Sequence, residues 1–112
     1  MKKDRLLITK DLIPYTFNIL LADELFNLTI EYNENCDLFT VALRKDNELI
    51  CEGEPIVYGF PLFSDIYQAG KYPALNIIPI DESGENTSVS FKNLNETVFL
   101  TIDNDESGED LG

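Results

Sequence analysis

The strongest constraint on how this chain folds is an apolar residue at every second position, in runs that never lengthen into a helical repeat. Tyr15, Phe17, Ile19 and Leu21 alternate with Thr16, Asn18 and Leu20. The same period returns in Phe26, Leu28, Ile30 and Tyr32 against Asn27, Thr29 and Glu31, and again in Phe39, Val41 and Leu43 against Thr40, Ala42 and Arg44. A period of two places one set of side chains on one face of a strand. The breaks between runs, Ala22-Asp23-Glu24, Asn33 to Asp37 and Lys45 to Glu48, are short and polar, as tight turns require. Leu49-Ile50-Cys51 reads as a fourth strand before Gly53, so the first half predicts an antiparallel meander.

The second half is punctuated by Gly53, Pro55, Gly59, Pro61, Gly70, Pro73 and Pro79, a spacing that excludes a long helix. Leu62, Phe63, Ile66 and Tyr67 have helical spacing over one or two turns within residues 62–69. Leu75 to Ile80 predicts a strand, Asp81 to Asn86 a loop and Val89-Ser90-Phe91 a short strand. The last run, Val98 to Ile102, is apolar on both faces and belongs in the middle of a sheet. About seven short strands make an all-β protein, a small antiparallel β-barrel or sandwich. A chain of 112 residues with 44% hydrophobic content supports one core. Residues 13–102 are read as that single β domain, residues 1–12 as a basic N-terminal arm and residues 103–112 as an acidic flexible tail.

Charge narrows function. Eight Lys and Arg against 21 Asp and Glu give a net charge of −13. Lys2, Lys3, Arg5 and Lys10 lie in the first ten residues, so the body of the chain has no basic patch for nucleic acid or an anionic membrane. There is no His, which removes Ser-His-Asp and Cys-His catalysis, His metal ligands and His pH switching. The longest early apolar run, Leu6-Leu7-Ile8, is too short for an export signal or a membrane span, so synthesis in the cytoplasm is expected. Sequons at Asn27, Asn86 and Asn95 are then chance matches. Cys36 and Cys51 are too few for a zinc site. A bond between them would close a loop worth about 3 kcal/mol by the chain-entropy relation, but without export two reduced thiols are expected.

Few groups offer chemistry. Asp81-Glu82-Ser83-Gly84-Glu85 recurs as Asp105-Glu106-Ser107-Gly108-Glu109, and Asp103 to Gly108 resembles the opening of a calcium loop, although the chain as given ends before that loop's closing Glu position. The carboxylates Glu31, Asp37, Glu52, Glu54 and Asp65 are read as a polar face, since spacing selects no acid-base pair among them. No phosphate loop, nucleophile elbow or dinucleotide fingerprint occurs, and no cofactor or metal is expected. Five aromatics, Tyr58, Phe60, Phe63, Tyr67 and Tyr72, gather within fifteen positions. They suit a core cap beneath an irregular loop and equally a protein-binding surface, because Tyr and Phe anchor interfaces.

The order of these pieces resembles the phage baseplate plug family, small β-rich proteins of contractile-tailed phages. The resemblance rests on Ile13-Pro14-Tyr15 opening a strand, on Phe26 to Glu34 with its aromatic-Asn pair Tyr32-Asn33, and on the turn at Asp46-Asn47. The loop Ile56-Val57-Tyr58-Gly59 and the closing Leu94-Asn95-Glu96-Thr97-Val98-Phe99-Leu100 complete it, so that it spans residues 13–102. It implies a non-enzymatic structural role at the centre of the baseplate, with several copies in an assembly that contacts the tail hub and spike. The segment from Ile56 to Ile80, whose only charges are Asp65 and Lys71, is the expected contact surface. A rival reading is an acidic inhibitor whose carboxylates mimic nucleic-acid phosphates. Salt separates the two, because a mimic loses affinity steeply with ionic strength.

Overall fold

A computed structural model describes residues 4–66, 68 and 71–103. Seven strands form two antiparallel sheets: β1 (Asp4–Leu6), β2 (Tyr15–Leu21), β3 (Glu24–Asn33), β4 (Leu38–Lys45), β5 (Glu48–Pro55), β6 (Asn76–Ile80) and β7 (Phe99–Asp103). The larger sheet is the expected meander, in the order β2-β3-β4-β5; the smaller has the order β1-β7-β6. Among the described residues there is no α-helix, only 3-10 turns at Lys10–Leu12 and Ser64–Ile66. The chain is all-β and sandwich-like and does not close into a barrel. At one seam a loop stands in place of a strand: Gly59 N–H donates to the carbonyl of Pro79 at 2.8 Å and Leu62 N–H to that of Ile77 at 2.9 Å.

Alternation in sequence becomes alternation in burial. On β3, Phe26, Leu28 and Ile30 are buried while Asn27 and Thr29 are half-buried on the opposite face. Their inward side chains join Phe39, Val41 and Leu43 of β4 and pack with Leu6, Ile77, Val98 and Leu100 in one core. The outward face carries polar cross-strand pairs: Thr16 and Thr29 hydroxyls lie 2.8 Å apart, and Asn27 Nδ2 donates to Asn18 Oδ1 at 3.0 Å. Strand β7 lies between β1 and β6, as its two apolar faces require.

Three segments differ from the sequence expectation. Residues Asp4–Leu6, within the stretch read as an arm, pair with Leu100, Thr101 and Ile102, and Leu6 and Ile8 enter the core. Two inward residues beside a cluster of charges are too short an alternation to register in sequence. Strand β5 runs on through Gly53, whose φ of +76° takes up a register shift against β4, so this glycine is a bulge and not a strand end. The strand expected at Val89 to Phe91 is absent. There Ser90 N–H donates to Asn93 Oδ1 at 2.9 Å and Asn93 Nδ2 to the carbonyl of Ser88 at 3.0 Å, side-chain bonds that hold the backbone in a turn.

The hairpin turns Ala22-Asp23 and Asp46-Asn47 have positive φ at both residues, 52° and 67° in the first and 54° and 67° in the second. This is the two-residue geometry whose twist matches flanking strands, and it favours Gly, Asn and Asp. Ala22 is the misfit. Ala22→Gly is expected to raise the unfolding free energy by about 0.5–1 kcal/mol. It should appear as a higher urea midpoint at unchanged slope, with a smaller gain for Asn47→Gly because Asn already tolerates this conformation.

Candidate functional site

The loop that leaves β5 carries the aromatic set, and the structure divides it. Phe63 and Tyr72 are buried, with ring centroids 5.5 Å apart, and belong to the core. Tyr58 is half-buried and its hydroxyl accepts the Asp81 N–H at 3.0 Å, which ties the loop to the end of β6. Phe60 is 64% exposed. Tyr67 lies outside the described residues. The set is therefore divided between a buried pair in the core and an exposed Phe60.

What turns Phe60 out and Phe63 in is backbone geometry. A turn closes from Phe60 N–H to the carbonyl of Val57 at 3.1 Å, with Gly59 at φ +78°, leaving Phe60 at its exit. Phe63 has φ +66°, uncommon for a bulky residue, and its N–H donates to Glu54 Oε2 at 2.7 Å. Strand β5 thus supplies the carboxylate that holds Phe63 in place. Burial, with the Glu54 carboxylate adding to it, pushes the nearby Cys51 thiol up, so it stays protonated. Cys36 and Cys51 are both free thiols, as expected.

Val57 and Ile66 are each 41% exposed, and Val57 borders the same hollow as Phe60. The signal was present for Val57: with Ile56 buried and Tyr58 half-buried, the period of two points Val57 outward. Hollows lie on both sides of the segment from Phe60 to Ser64. One, of about 260 Å³, is lined by residues including Pro55, Val57, Phe60 and Asp65. The other, of about 370 Å³, is lined by residues including Leu62, Phe63, Pro73 and Leu75. Ser64 borders both.

The carboxylates do structural work. Asp81 accepts from the N–H and hydroxyl of Ser83, at 2.9 and 2.7 Å, and from the N–H and Nδ2 of Asn86, at 3.0 and 2.8 Å. The Ser83 side chain, then that of Asn86, holds its carboxyl down to about 2. Both oxygens of Asp81 are directed into its own loop; the second copy of this motif, at residues 105–109, lies outside the described residues. Asp37 accepts the Tyr32 hydroxyl at 2.6 Å and the Phe91 N–H at 2.8 Å, and this contact pushes Tyr32 up to about 12. Glu31, Glu52 and Asp65 are exposed. No group of three or more metal-ligating side chains occurs among the described residues.

A family model described as cyanophage baseplate Pam3 plug gp18 matches residues 4–106. No curated protein matches the chain.

Two predictions follow the division of the aromatics and the saturation of Asp81. Phe63→Ala is expected to cost about 3–5 kcal/mol by urea unfolding, and Phe60→Ala less than about 0.5 kcal/mol. The lowered pKa of Asp81 contributes stability that is fully present above about pH 4 and is lost as pH falls toward 2. The thermal midpoints of the wild type and Asp81→Asn should therefore converge between pH 4 and pH 2, with the wild type higher above that window.

Proposed function

The chain belongs to the cyanophage baseplate Pam3 plug gp18 family, whose match to residues 4–106 gives it a structural role in a phage baseplate among other baseplate components, and from that premise we propose that it acts by binding, without catalysis. In this reading it is made in the host cytoplasm and seats at the centre of a contractile-tail baseplate, in contact with hub and spike subunits. One observation carries the choice of contact: Phe60 holds its ring 64% exposed at the exit of a turn, on the charge-poor segment from Ile56 to Ile80. An exposed aromatic that borders a hollow together with Val57 is the chemistry of an interface anchor.

The surroundings support binding over catalysis. The strongly shifted Asp81 carboxyl spends its acceptor capacity on Ser83 and Asn86. The acidic exterior keeps the free subunit soluble, and the charge-poor loop lets it dock with few carboxylates to desolvate.

The test replaces exposed residues and leaves the buried Phe63 intact. The double variant Val57→Asp and Phe60→Asp is expected to fold with an unchanged thermal midpoint. Its incorporation into purified particles should fall by about tenfold or more. Wild-type incorporation of the folded variant would remove the loop as the anchor.

A further inference from the structure

A sheet edge exposes unpaired backbone N–H and C=O groups, and this fold ends its two sheets in four edges, three of which are blunted. Strand β1 is three residues long and carries Asp4 and Arg5. The free side of β6 is bonded by the loop residues Gly59 and Leu62. Strand β5 carries Glu48, Glu52 and Glu54, the bulge at Gly53 and a terminal Pro55. Strand β2 has none of these devices. Its seven residues, Tyr15–Leu21, include no charge and no proline, and among the described residues only β3 pairs with it.

The hairpin register fixes which groups are open. Leu21 opposite Glu24 closes the two-residue turn, so Leu21, Ile19, Phe17 and Tyr15 direct their N–H and C=O groups toward β3. Those of Thr16, Asn18 and Leu20 point outward. On the inner face Tyr15, Phe17 and Ile19 are only half-buried although they pack on the core, and on the outer face Leu20 is 68% exposed. A strand laid along this edge would bond the open groups and cover the half-buried rings together.

Charge selects the occupant. The uncharged edge is bracketed by two exposed acids, Asp11 before its first residue and Asp23 after its last. Glu24 is already paired with Lys45 at 2.7 Å, and Lys10 donates to the Phe91 carbonyl at 2.7 Å. A second copy paired antiparallel about Asn18 brings the Asp23 turn of each chain toward the Asp11 end of the other, in two chains of net charge −13. A strand with an uncharged middle and basic ends meets the opposite arrangement. Before Tyr15 a hollow of about 380 Å³ is lined by Lys10, Ile13, Pro14, Glu31, Tyr32 and Phe91.

We propose that β2 accepts an extended strand of another protein subunit, uncharged at its centre and flanked by Lys or Arg, as a fifth strand of the larger sheet. Main-chain bonds would give affinity and the acidic brackets selectivity. That this subunit is a baseplate component rests on the reading above; the chemistry of the edge does not.

The experiment uses the purified full chain and a short synthetic peptide alternating Thr and Val with two lysines at each end, followed by amide hydrogen exchange. The expected result is selective slowing of exchange at Thr16, Asn18 and Leu20. Binding should be about tenfold or more weaker for the same peptide with glutamates in place of the lysines. Asn18→Pro, which removes an outward N–H that an edge strand can lose, together with the Asn27 side-chain bond, should abolish binding in a variant that still folds. The wild-type exchange pattern decides the matter if that variant does not fold. Equal binding of both peptides, binding that leaves the three amides unprotected, or no binding would overturn the proposal. So would a concentration-dependent dimer in sedimentation that protects these amides without peptide, since the occupant is then a second copy. None of these readouts involves particles, so they stand or fall apart from the incorporation test.

Discussion

The fold depends on burying the inward faces of β3 and β4. Phe26, Leu28, Ile30, Phe39, Val41 and Leu43 are each at most 1% exposed, and they meet Leu6, Ile77, Val98 and Leu100 from the smaller sheet. Full burial of such a side chain contributes about 1.5–3 kcal/mol, set against the entropy of ordering the backbone that carries it. With one core of this kind available, every other segment has to find its place around its rim. The loop after β5 does so by placing Ile56, Leu62 and Phe63 in the core between the two sheets, and its remaining apolar side chains are the ones left over.

Strands β2, β3 and β4 were legible in the sequence because their neighbours in the chain are their neighbours in the sheet. Period and turn residues then place the three strands, while the register of Tyr15 on Ile30 comes from a two-residue turn one residue tighter than the polar break Ala22-Asp23-Glu24. The contributions of β1 and of the 88–98 segment were not legible because they are decided at long range or by side chains. Asp4–Leu6 pairs with residues almost a hundred positions away, and Asn95 Nδ2 donates to the carbonyl of Ile8. The same holds for the loop. Phe60 and Phe63 look alike in sequence, and what separates them is a positive φ at Phe63 stabilised by a carboxylate on β5, a combination that no local pattern encodes.

The acidity of the chain has a specific distribution. Arg5, Lys10 and Lys45 each reach an acid, Glu82, Glu96 and Glu24, and each lies over an aromatic ring, Phe99, Phe91 and Phe26. These exposed pairs are individually weak. Their effect is to leave those basic groups engaged locally, so that acidic side chains dominate most of the exterior. A protein partner approaching such an exterior must desolvate carboxylates or bring cations to match them. The 56–80 segment, with only Asp65 and Lys71, and the uncharged edge of β2 largely escape that cost.

Those two stretches stand at opposite ends of a single hydrogen-bonded sheet. Strand β5 leads directly into the Phe60 loop, and β2 is the other terminal strand of the order β2-β3-β4-β5. The surfaces are also chemically unlike, an exposed aromatic beside a hollow at one end and a bare backbone edge at the other. A ring built only from copies of this chain would need one surface to fit the other or itself, and the acids around β2 oppose self-pairing. Two unlike surfaces joined by continuous strands suit a subunit gripped by different neighbours at each end. Displacement imposed at one contact would then pass through the ladder of β3 and β4, whose side chains form the core. In such a subunit the rigid element and the hydrophobic core are the same object, which is how so small a chain can fold and connect at once.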